Sequence, residues 1–373
     1  MVLSQPSVGH PVRFSYAANG LDSVALSSLA CRLKTTHAPL VIVTANAFEA
    51  QRLLEEIPFF APDLKVNLLP DWETLPYDVF SPHPDLISER LATLYQISQN
   101  SSDVIIVPMA TALLRLPPVA FLSAHTFMLK KGQQLDLEAL RNQCAHAGYH
   151  HVSQVMSPGE FSVRGGLVDL FPMGSVLPYR IDLFDAEIET IRTFDIDTQR
   201  SLYPVPEIRL LPAREFPLDE AGIAKFRSQF REHFEGDPQR AKIYKDVSKG
   251  TASGGIEWYL PLFFDATATI FDYLPKQAVL CLHGTLDKAA QSFWFDATSR
   301  YRLMAHDPEK PILQPEVLLL KTDTFFSQTH NFAIVQAQLD PANPLPAIDV
   351  DRRAEHPLHK LNAFMAQTQQ RVL

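Results

Sequence analysis

Apolar and helix-periodic segments alternate over the first third of the chain. Asp22 or Ser23 can cap the start of a helix with apolar residues on one face, and residues 40–45 (LVIVTA) then form a continuous apolar run. A second helical pattern and a second apolar run, residues 104–107, follow. Continuous apolar strands separated by helices are typical of parallel sheets covered on both faces. The pattern therefore predicts an α/β domain with a mostly parallel sheet.

Residues 157–200 show a different pattern, in which four short extended runs are separated by turn residues such as Gly165-Gly166. This arrangement predicts an antiparallel meander. In the run 179–184 (YRIDLF), the first, third and fifth side chains can fill a core, while the others face the opposite side. That outer face carries Arg180 and Phe184.

The last part of the chain mixes helical and extended patterns. After Pro217 a helix is predicted, with phenylalanines at 226, 230 and 234 on one face that we assign to a core. Short apolar strands are predicted at 278–282 and 317–321. From residue 340 onward the chain is rich in Pro and Asp, as linkers are, and a helical segment follows at 358–370. The final apolar step, Val372-Leu373, predicts the start of a truncated further domain.

Length and charge narrow the class of protein. The 373 residues are enough for two or three domains, and the formal charge of −9 disfavours a large DNA-binding surface. No run of 18 apolar residues and no signal-peptide pattern is present, so a cytoplasmic location is predicted. The three cysteines are far apart and match neither a disulfide framework nor a zinc site.

A phosphate-binding loop is missing from the predicted α/β domain. Such a loop needs two glycines five positions apart, followed by Lys and Ser or Thr. Before Gly132 the only glycines are Gly9 and Gly20, and the glycine-rich segment 250–255 is followed by Ile256-Glu257. We therefore predict no bound cofactor and no ATP hydrolysis by this chain alone.

Other catalytic and metal-binding patterns are also lacking. His146, His150 and His151 form a histidine cluster in the sequence. Only His146 and His150 have a spacing that could bind a metal from one helix face, but Gly148 ends the helix between them. We interpret the cluster as surface histidines, and we predict no metal site and no catalytic residue.

The outer face of the meander is the strongest candidate site. Arg180 and Phe184 share one strand face, and Arg164 ends the preceding hairpin strand. Arginine and aromatic residues are enriched in protein-binding hot spots. The alternative is that both arginines pair with nearby acids and that Phe184 packs under a loop. Nucleic acid is a poorer partner, because residues 157–200 contain four arginines and eight acids.

Three segments of the sequence carry a family resemblance: LPDWETLPYDVFSPHPDLISERLATLYQI (residues 69–97), GEFSVRGGLVDLFPMGSVLPYRIDLFDAEIETIRTFDIDTQRS (159–201) and VSKGTASGGIEWYLPLFF (247–264). They resemble the N-terminal part of the bacterial transcription-repair coupling factor (Mfd) family, which is similar to three domains of the excision-repair protein UvrB. The resemblance runs over nearly the whole chain.

The resemblance implies a multidomain α/β protein. It implies a degenerate P-loop-NTPase-like (RecA-like) domain at 1–118, an inserted antiparallel-meander domain at 119–211, a smaller mixed or helical domain at 212–340, and a linker with the first helix of a truncated domain at 341–373. In the family, the meander domain contacts UvrA, and the contact residues fall on Arg164, Arg180 and Phe184.

The resemblance also implies a function. Members of the family remove RNA polymerase stalled at DNA lesions and recruit UvrA. Their chain is longer, and its later part contains the polymerase-binding domain and a translocase motor. The motor acts on double-stranded DNA and depends on ATP and Mg²⁺. The expected function here is therefore that of a non-catalytic adaptor for UvrA. The alternative is a vestigial helicase domain that retains nucleotide or DNA binding.

Overall fold

The computed structural model of the chain describes residue 4 and residues 6–16, 20–340 and 356–367. Six strands form a sheet in the order β1-β14-β13-β2-β4-β3, and every neighbouring pair is parallel. Their bounds are Val12–Tyr16 (β1), Leu40–Thr44 (β2), Val66–Leu68 (β3), Val104–Pro108 (β4), Val279–His283 (β13) and Ala333–Leu339 (β14). Strands β2 and β4 are buried along their whole length, so the predicted parallel sheet is confirmed.

Helices cover both faces of this sheet. Leu40 and Ile42 of β2 pack in one apolar cluster, while Val41 and Val43 pack in another, because successive side chains of a strand point to opposite faces. The described α-helices are Leu21–Lys34 (α1), Ala47–Phe60 (α2), Pro84–Ser98 (α3), Met109–Leu113 (α4), Val119–Ala124 (α5), Leu137–His146 (α6), Glu220–His233 (α7), Lys242–Ser248 (α8), Ile270–Tyr273 (α9), Leu286–Met304 (α10), Pro315–Leu318 (α11), Thr322–Thr329 (α12) and His359–Gln367 (α13). Short 3₁₀ helices span Pro238–Arg240 and Ile256–Phe263.

A second six-stranded sheet has the order β11-β10-β9-β8-β7-β6. Its strands are His150–His151 (β6), Glu160–Arg164 (β7), Leu167–Leu170 (β8), Tyr179–Phe184 (β9), Glu187–Phe194 (β10) and Ser201–Pro204 (β11). All neighbours are antiparallel except β6 and β7. The four-stranded meander predicted between residues 157 and 200 is thus confirmed as β7 to β10. Phe127–Lys130 (β5) and Glu207–Leu210 (β12) form a separate antiparallel pair.

One apolar core connects the two large sheets. The cluster that contains Val41 and Ile105 of the parallel sheet also contains Val168 and Ile181 of the antiparallel sheet. A third cluster surrounds α7, where Phe226 and Phe230 are fully buried. The interpretation of these phenylalanines as core residues is therefore confirmed.

The prediction of a strand at residues 317–321 is wrong. Pro315 instead begins the short helix α11, and Leu319 makes only an isolated bridge with Leu114. The apolar side chains of this segment are buried by helix and loop packing. A short apolar run of this kind is found in buried helices as well as in buried strands. The parallel sheet instead includes β14, which was not predicted because glutamines alternate with its apolar residues.

Some sequence predictions fall outside the described residues. The linker at 341–355 and the apolar end at residues 372–373 belong to this group, while α13 lies within the predicted helical segment 358–370. The domain boundaries at 118, 211 and 340 remain predictions, and the parallel sheet takes strands from both the first and the third of the predicted domains. Among the described residues, every helix is too short or too polar to cross a lipid bilayer.

Candidate protein-binding surface

Phe184 lies at the exposed end of β9, next to the tight turn into β10. The alternation predicted for this strand places Ile181 in the core and leaves the Phe184 side chain 75% exposed. Asp185 has a φ of 57°, a left-handed conformation that short polar residues tolerate in hairpin turns. Phe184 is paired with Glu187 across the hairpin, which fixes its backbone at the end of the strand. Its ring remains exposed. Sequence alternation alone correctly placed this ring on the outer face.

Asp169 joins the two candidate arginines on the same outer face. Its side chain is 1% exposed, and its carboxylate accepts hydrogen bonds from Arg164 Nη2 at 2.6 Å and from Arg180 Nε and Nη2 at 2.7 and 2.9 Å. The strand register explains the contact, since Asp169 of β8 lies directly opposite Arg180 of β9. The structure thus brings Arg164 and Arg180 together through one shared acid, which was not predicted from the sequence.

The two arginines differ in what they can still bind. Arg180 is 16% exposed, donates a further hydrogen bond to the Gln199 carbonyl at 2.9 Å, and stacks over the ring of Phe194. The hydrogen bonds that Arg180 donates to Asp169 raise the pKa of Arg180, so its charge is fixed. Arg164 is 52% exposed, and within the described residues only its Nη2 has a partner. Arg164 is therefore open to a further partner, and Arg180 is held within the fold.

Polar and charged side chains of β10 also lie on this outer face. Thr190 donates a hydrogen bond to Asp182 at 2.8 Å, and Arg192 lies opposite Arg180 in the β9–β10 register. Arg192 is exposed. We name the outer-face side chains Arg164, Arg180 and Phe184, with the connecting Asp169, the β9 surface. It presents one uncovered aromatic ring and, two strands away on the same face, a partly open guanidinium, which is a composition that protein partners recognise.

A second group of charged side chains lies at the carboxyl edge of the parallel sheet, which is the edge where α/β proteins usually bind ligands. Asp22 is fully buried and accepts hydrogen bonds from Arg52 Nη2 at 2.6 Å and from the Ser23 amide at 2.9 Å. His283 Nε2 lies 2.8 Å from the Asp22 carboxylate and 3.2 Å from the Tyr16 hydroxyl. Tyr16 and His283 are the last residues of β1 and β13.

Burial opposes the charge of Asp22, but the hydrogen bonds from His283 and Arg52 prevail and hold the pKa of Asp22 below its usual value. The sequence prediction that Asp22 or Ser23 caps the start of this helix needs correction, because the N-cap is Gly20 and the helix begins at Leu21. The Asp22 carboxylate accepts the Gly20 amide at 3.0 Å and so occupies the end of the helix where an anion would bind. No local signal could have found this network, since its members come from distant parts of the chain.

The histidine cluster is dispersed in the structure. His146 ends α6, while His150 and His151 form β6. Across the described ranges, no three His, Cys, Asp or Glu side chains are arranged to hold a metal ion.

Comparison with known proteins places the antiparallel sheet in a named family. Residues 127–216 match the family described as the UvrB interaction domain, and this range runs from β5 to the segment before α7. Over 92% of its length, the chain is 44% identical to a transcription-repair-coupling factor of Escherichia coli strain K12. This chain belongs to the transcription-repair-coupling factor family.

Further relatives give the same result. The transcription-repair-coupling factor of Haemophilus influenzae is 39% identical over 95% of the chain, and that of Bacillus subtilis is 28% identical over 70%. The chain spans about a third of the length of the Escherichia coli and Haemophilus influenzae proteins, 31% and 32% respectively. All residues of the β9 surface lie inside the segment that matches the UvrB interaction domain.

Proposed function

We propose that this chain acts in transcription-coupled DNA repair as a non-catalytic adaptor, and that its β9 surface recruits UvrA to sites of stalled RNA polymerase. The homology to transcription-repair-coupling factors supports the repair role, and the match to the UvrB interaction domain supports UvrA as the partner. The observation that carries the proposal is the Phe184 ring, 75% exposed inside that matched segment.

Phe184 supplies the apolar part of the proposed contact. Covering an exposed aromatic side chain releases roughly 1.5–3 kcal/mol, which is enough to make one ring a binding hot spot. The strand end and the Asp185 turn fix the backbone of Phe184, so binding costs only the rotational freedom of its side chain. We therefore assign Phe184 to an apolar pocket of UvrA.

The two arginines have different parts in the proposed contact. Arg164 keeps Nε and Nη1 without a partner in the described residues, and these donors can bind a carboxylate of UvrA. Arg180 has three of its nitrogens engaged within the chain. We propose that Arg180 positions Asp169, which in turn orients Arg164.

We also propose that the parallel sheet of this chain binds no nucleotide. The support is Asp22, a carboxylate that already occupies the N-terminal end of α1 at the carboxyl edge of the sheet. Glu49 and Glu56, both bonded to Arg52, add negative charge nearby, which opposes a triphosphate. The alternative, a vestigial helicase domain that retains nucleotide or DNA binding, has less support for this reason.

The remaining activities of the family are proposed for parts of the relatives that this chain does not span. These are the contacts with RNA polymerase and double-stranded DNA and the translocase motor that uses ATP and Mg²⁺. The 31% coverage of the Escherichia coli relative leaves ample length for them.

The UvrA proposal is tested by a pull-down with purified components. The immobilised chain should retain UvrA at moderate salt, and retention should fall sharply when the Phe184→Ala variant is immobilised instead. Failure of the unmodified chain to retain UvrA would contradict the proposed function.

The nucleotide proposal is tested by titrating ATP with Mg²⁺, and separately a DNA duplex, into the chain at low salt, where weak electrostatic binding is strongest. We expect no saturable heat from either titration. Saturable binding of ATP or DNA would instead favour the vestigial helicase alternative.

A further inference from the structure

A cavity of about 440 Å³ opens where the loop before α3, the start of the antiparallel sheet and the segment after α8 meet. None of Arg164, Arg180 and Phe184 lines this cavity. Its walls include residues of the glycine-rich segment 250–257, whose sequence carried part of the family resemblance but has no part in the proposed UvrA contact.

Among the described residues, Arg214 is the only arginine or lysine that lines this cavity. The structure gives its guanidinium no hydrogen bond and no ion pair with any described residue, although burial lowers its pKa. The side chain lies against Gly148, where a Cβ atom would come within 3.0 Å of Arg214 Cγ. Gly148 also has a φ of 92°, so both the turn after α6 and the room for Arg214 require glycine.

Two acids near Arg214, Glu215 and Glu160, already accept hydrogen bonds from other groups. Glu215 points to the opposite side of the segment, where its carboxylate binds Arg90 at 2.6 Å. Glu160 accepts hydrogen bonds from the amides of Met156 and Ser157. No carboxylate of the described residues therefore neutralises the Arg214 guanidinium by direct contact.

Glu257 is the remaining acid in the cavity wall. It is 6% exposed and accepts a hydrogen bond from Ser81 Oγ at 2.8 Å. Burial raises the pKa of Glu257 to about 7, so a large fraction of this carboxyl is neutral near neutral pH. A half-buried cation beside a partly neutral acid leaves a net positive charge in the cavity, which favours an anion there.

We propose that this cavity is a binding site for a small organic oxyanion, a phosphate or a carboxylate, whose charged end is bound by Arg214. A guanidinium presents forked donors that match both kinds of anion. Pro82, Ile87, Met173 and Phe216 provide an apolar wall for the body of the ligand. The volume lies within the range of small-molecule sites, and a bare phosphate would leave much of it unfilled.

Isothermal titration of the whole chain with two probes, inorganic phosphate and hexanoate, tests this site. Saturable binding of at least one probe is expected, and the stronger probe identifies the anion. Arg214→Gln should weaken that binding at least tenfold. The matched control is Arg209→Gln, whose exposed guanidinium stacks on Tyr95 outside the cavity and whose loss should leave binding unchanged.

Thermal unfolding without added probe separates the site from a structural role of Arg214. The Arg214→Gln variant should melt at or above the temperature of the unmodified chain, because the change removes a half-buried charge that has no direct partner. A lower melting temperature would overturn the proposal, as would the absence of saturable binding of both probes or an equal loss of binding in Arg209→Gln.

Discussion

The carboxyl edge of the parallel sheet and the β9 surface are built from the same chemistry, a buried carboxylate that holds cationic side chains. At the sheet edge, Asp22 is enclosed by Arg52 and His283, and every member of the network is buried or nearly so. On the β9 surface, Asp169 is equally buried, but Arg164 is 52% exposed and Phe184 lies uncovered on the same face. The first arrangement is closed and the second is open.

This difference shows why the position of a site in a fold does not fix its function. The edge of a parallel sheet is the usual place for a ligand, yet here the protein's own carboxylate occupies the helix end. The outer face of an antiparallel sheet has no such preference, yet it keeps an exposed ring and free donors. The open surface is therefore the one we associate with a partner.

The largest effect is expected at the closed site. Asp22→Ala leaves Arg52 and His283 without their shared partner in a buried environment, and we expect it to lower the free energy of unfolding by about 3 to 5 kcal/mol. Urea denaturation measures the change. The control is Glu138→Ala, which breaks an exposed pair with Arg141 and should cost about 1 kcal/mol or less. A loss at Asp22 as small as that of the control would contradict the closed arrangement.

A smaller loss is expected when the corresponding acid of the open surface is removed. Asp169→Ala deprives both Arg164 and Arg180 of their carboxylate, but water can solvate the half-exposed Arg164. We therefore expect about 2 kcal/mol by the same urea measurement. If Asp169→Ala cost more than Asp22→Ala, the contrast between the two sites would be reversed.

The lowered pKa of Asp22 predicts how its contribution changes with pH. A carboxyl whose pKa is lower in the folded state stabilises the fold fully above its ordinary pKa of 3.8, and it loses that contribution as the pH falls. The stability difference between the unmodified chain and Asp22→Asn should therefore be about 1 kcal/mol smaller near pH 3 than near pH 7. Urea unfolding at both pH values checks this, and a constant difference would show that the Asp22 pKa is not lowered.

The smallest effect on stability is expected at the open arginine. Arg164→Ala removes one hydrogen bond from a half-exposed side chain, so the unfolding free energy should fall by roughly 0.5 kcal/mol. The affinity for UvrA should nevertheless fall, because Arg164 is assigned to the contact. Unchanged UvrA affinity in a stable Arg164→Ala variant would remove this residue from the proposed site.

Local patterns were sufficient to predict the parts of the fold that depend on neighbouring residues. The buried strands β2 and β4, the meander β7 to β10 and the phenylalanine stripe of α7 all follow from apolar periodicity. The same patterns failed at residues 317–321, because burial alone does not distinguish a strand from a short helix that begins at Pro315.

Contacts between distant residues could not be predicted in this way. The Asp22 network joins side chains separated by 30 and 261 positions, and only the order of strands in the sheet brings them together. Alternation placed Phe184 and Arg180 on one face, but the choice of Asp169 as the acid between the arginines depends on the β8–β9 register. The uncovered state of Phe184 likewise depends on what packs over the hairpin, and the sequence pattern carries no information about that.

The UvrA affinity of a Phe184→Ala variant, compared with that of Phe48→Ala, tests the central claim most directly. Phe48 of α2 is 74% exposed, so its loss matches that of Phe184 in chemistry and exposure. By isothermal titration, we expect Phe184→Ala to lose about 2 kcal/mol of binding free energy, roughly a 30-fold weaker affinity, and Phe48→Ala to bind as the unmodified chain does. Equal affinity of both variants for UvrA would contradict the account.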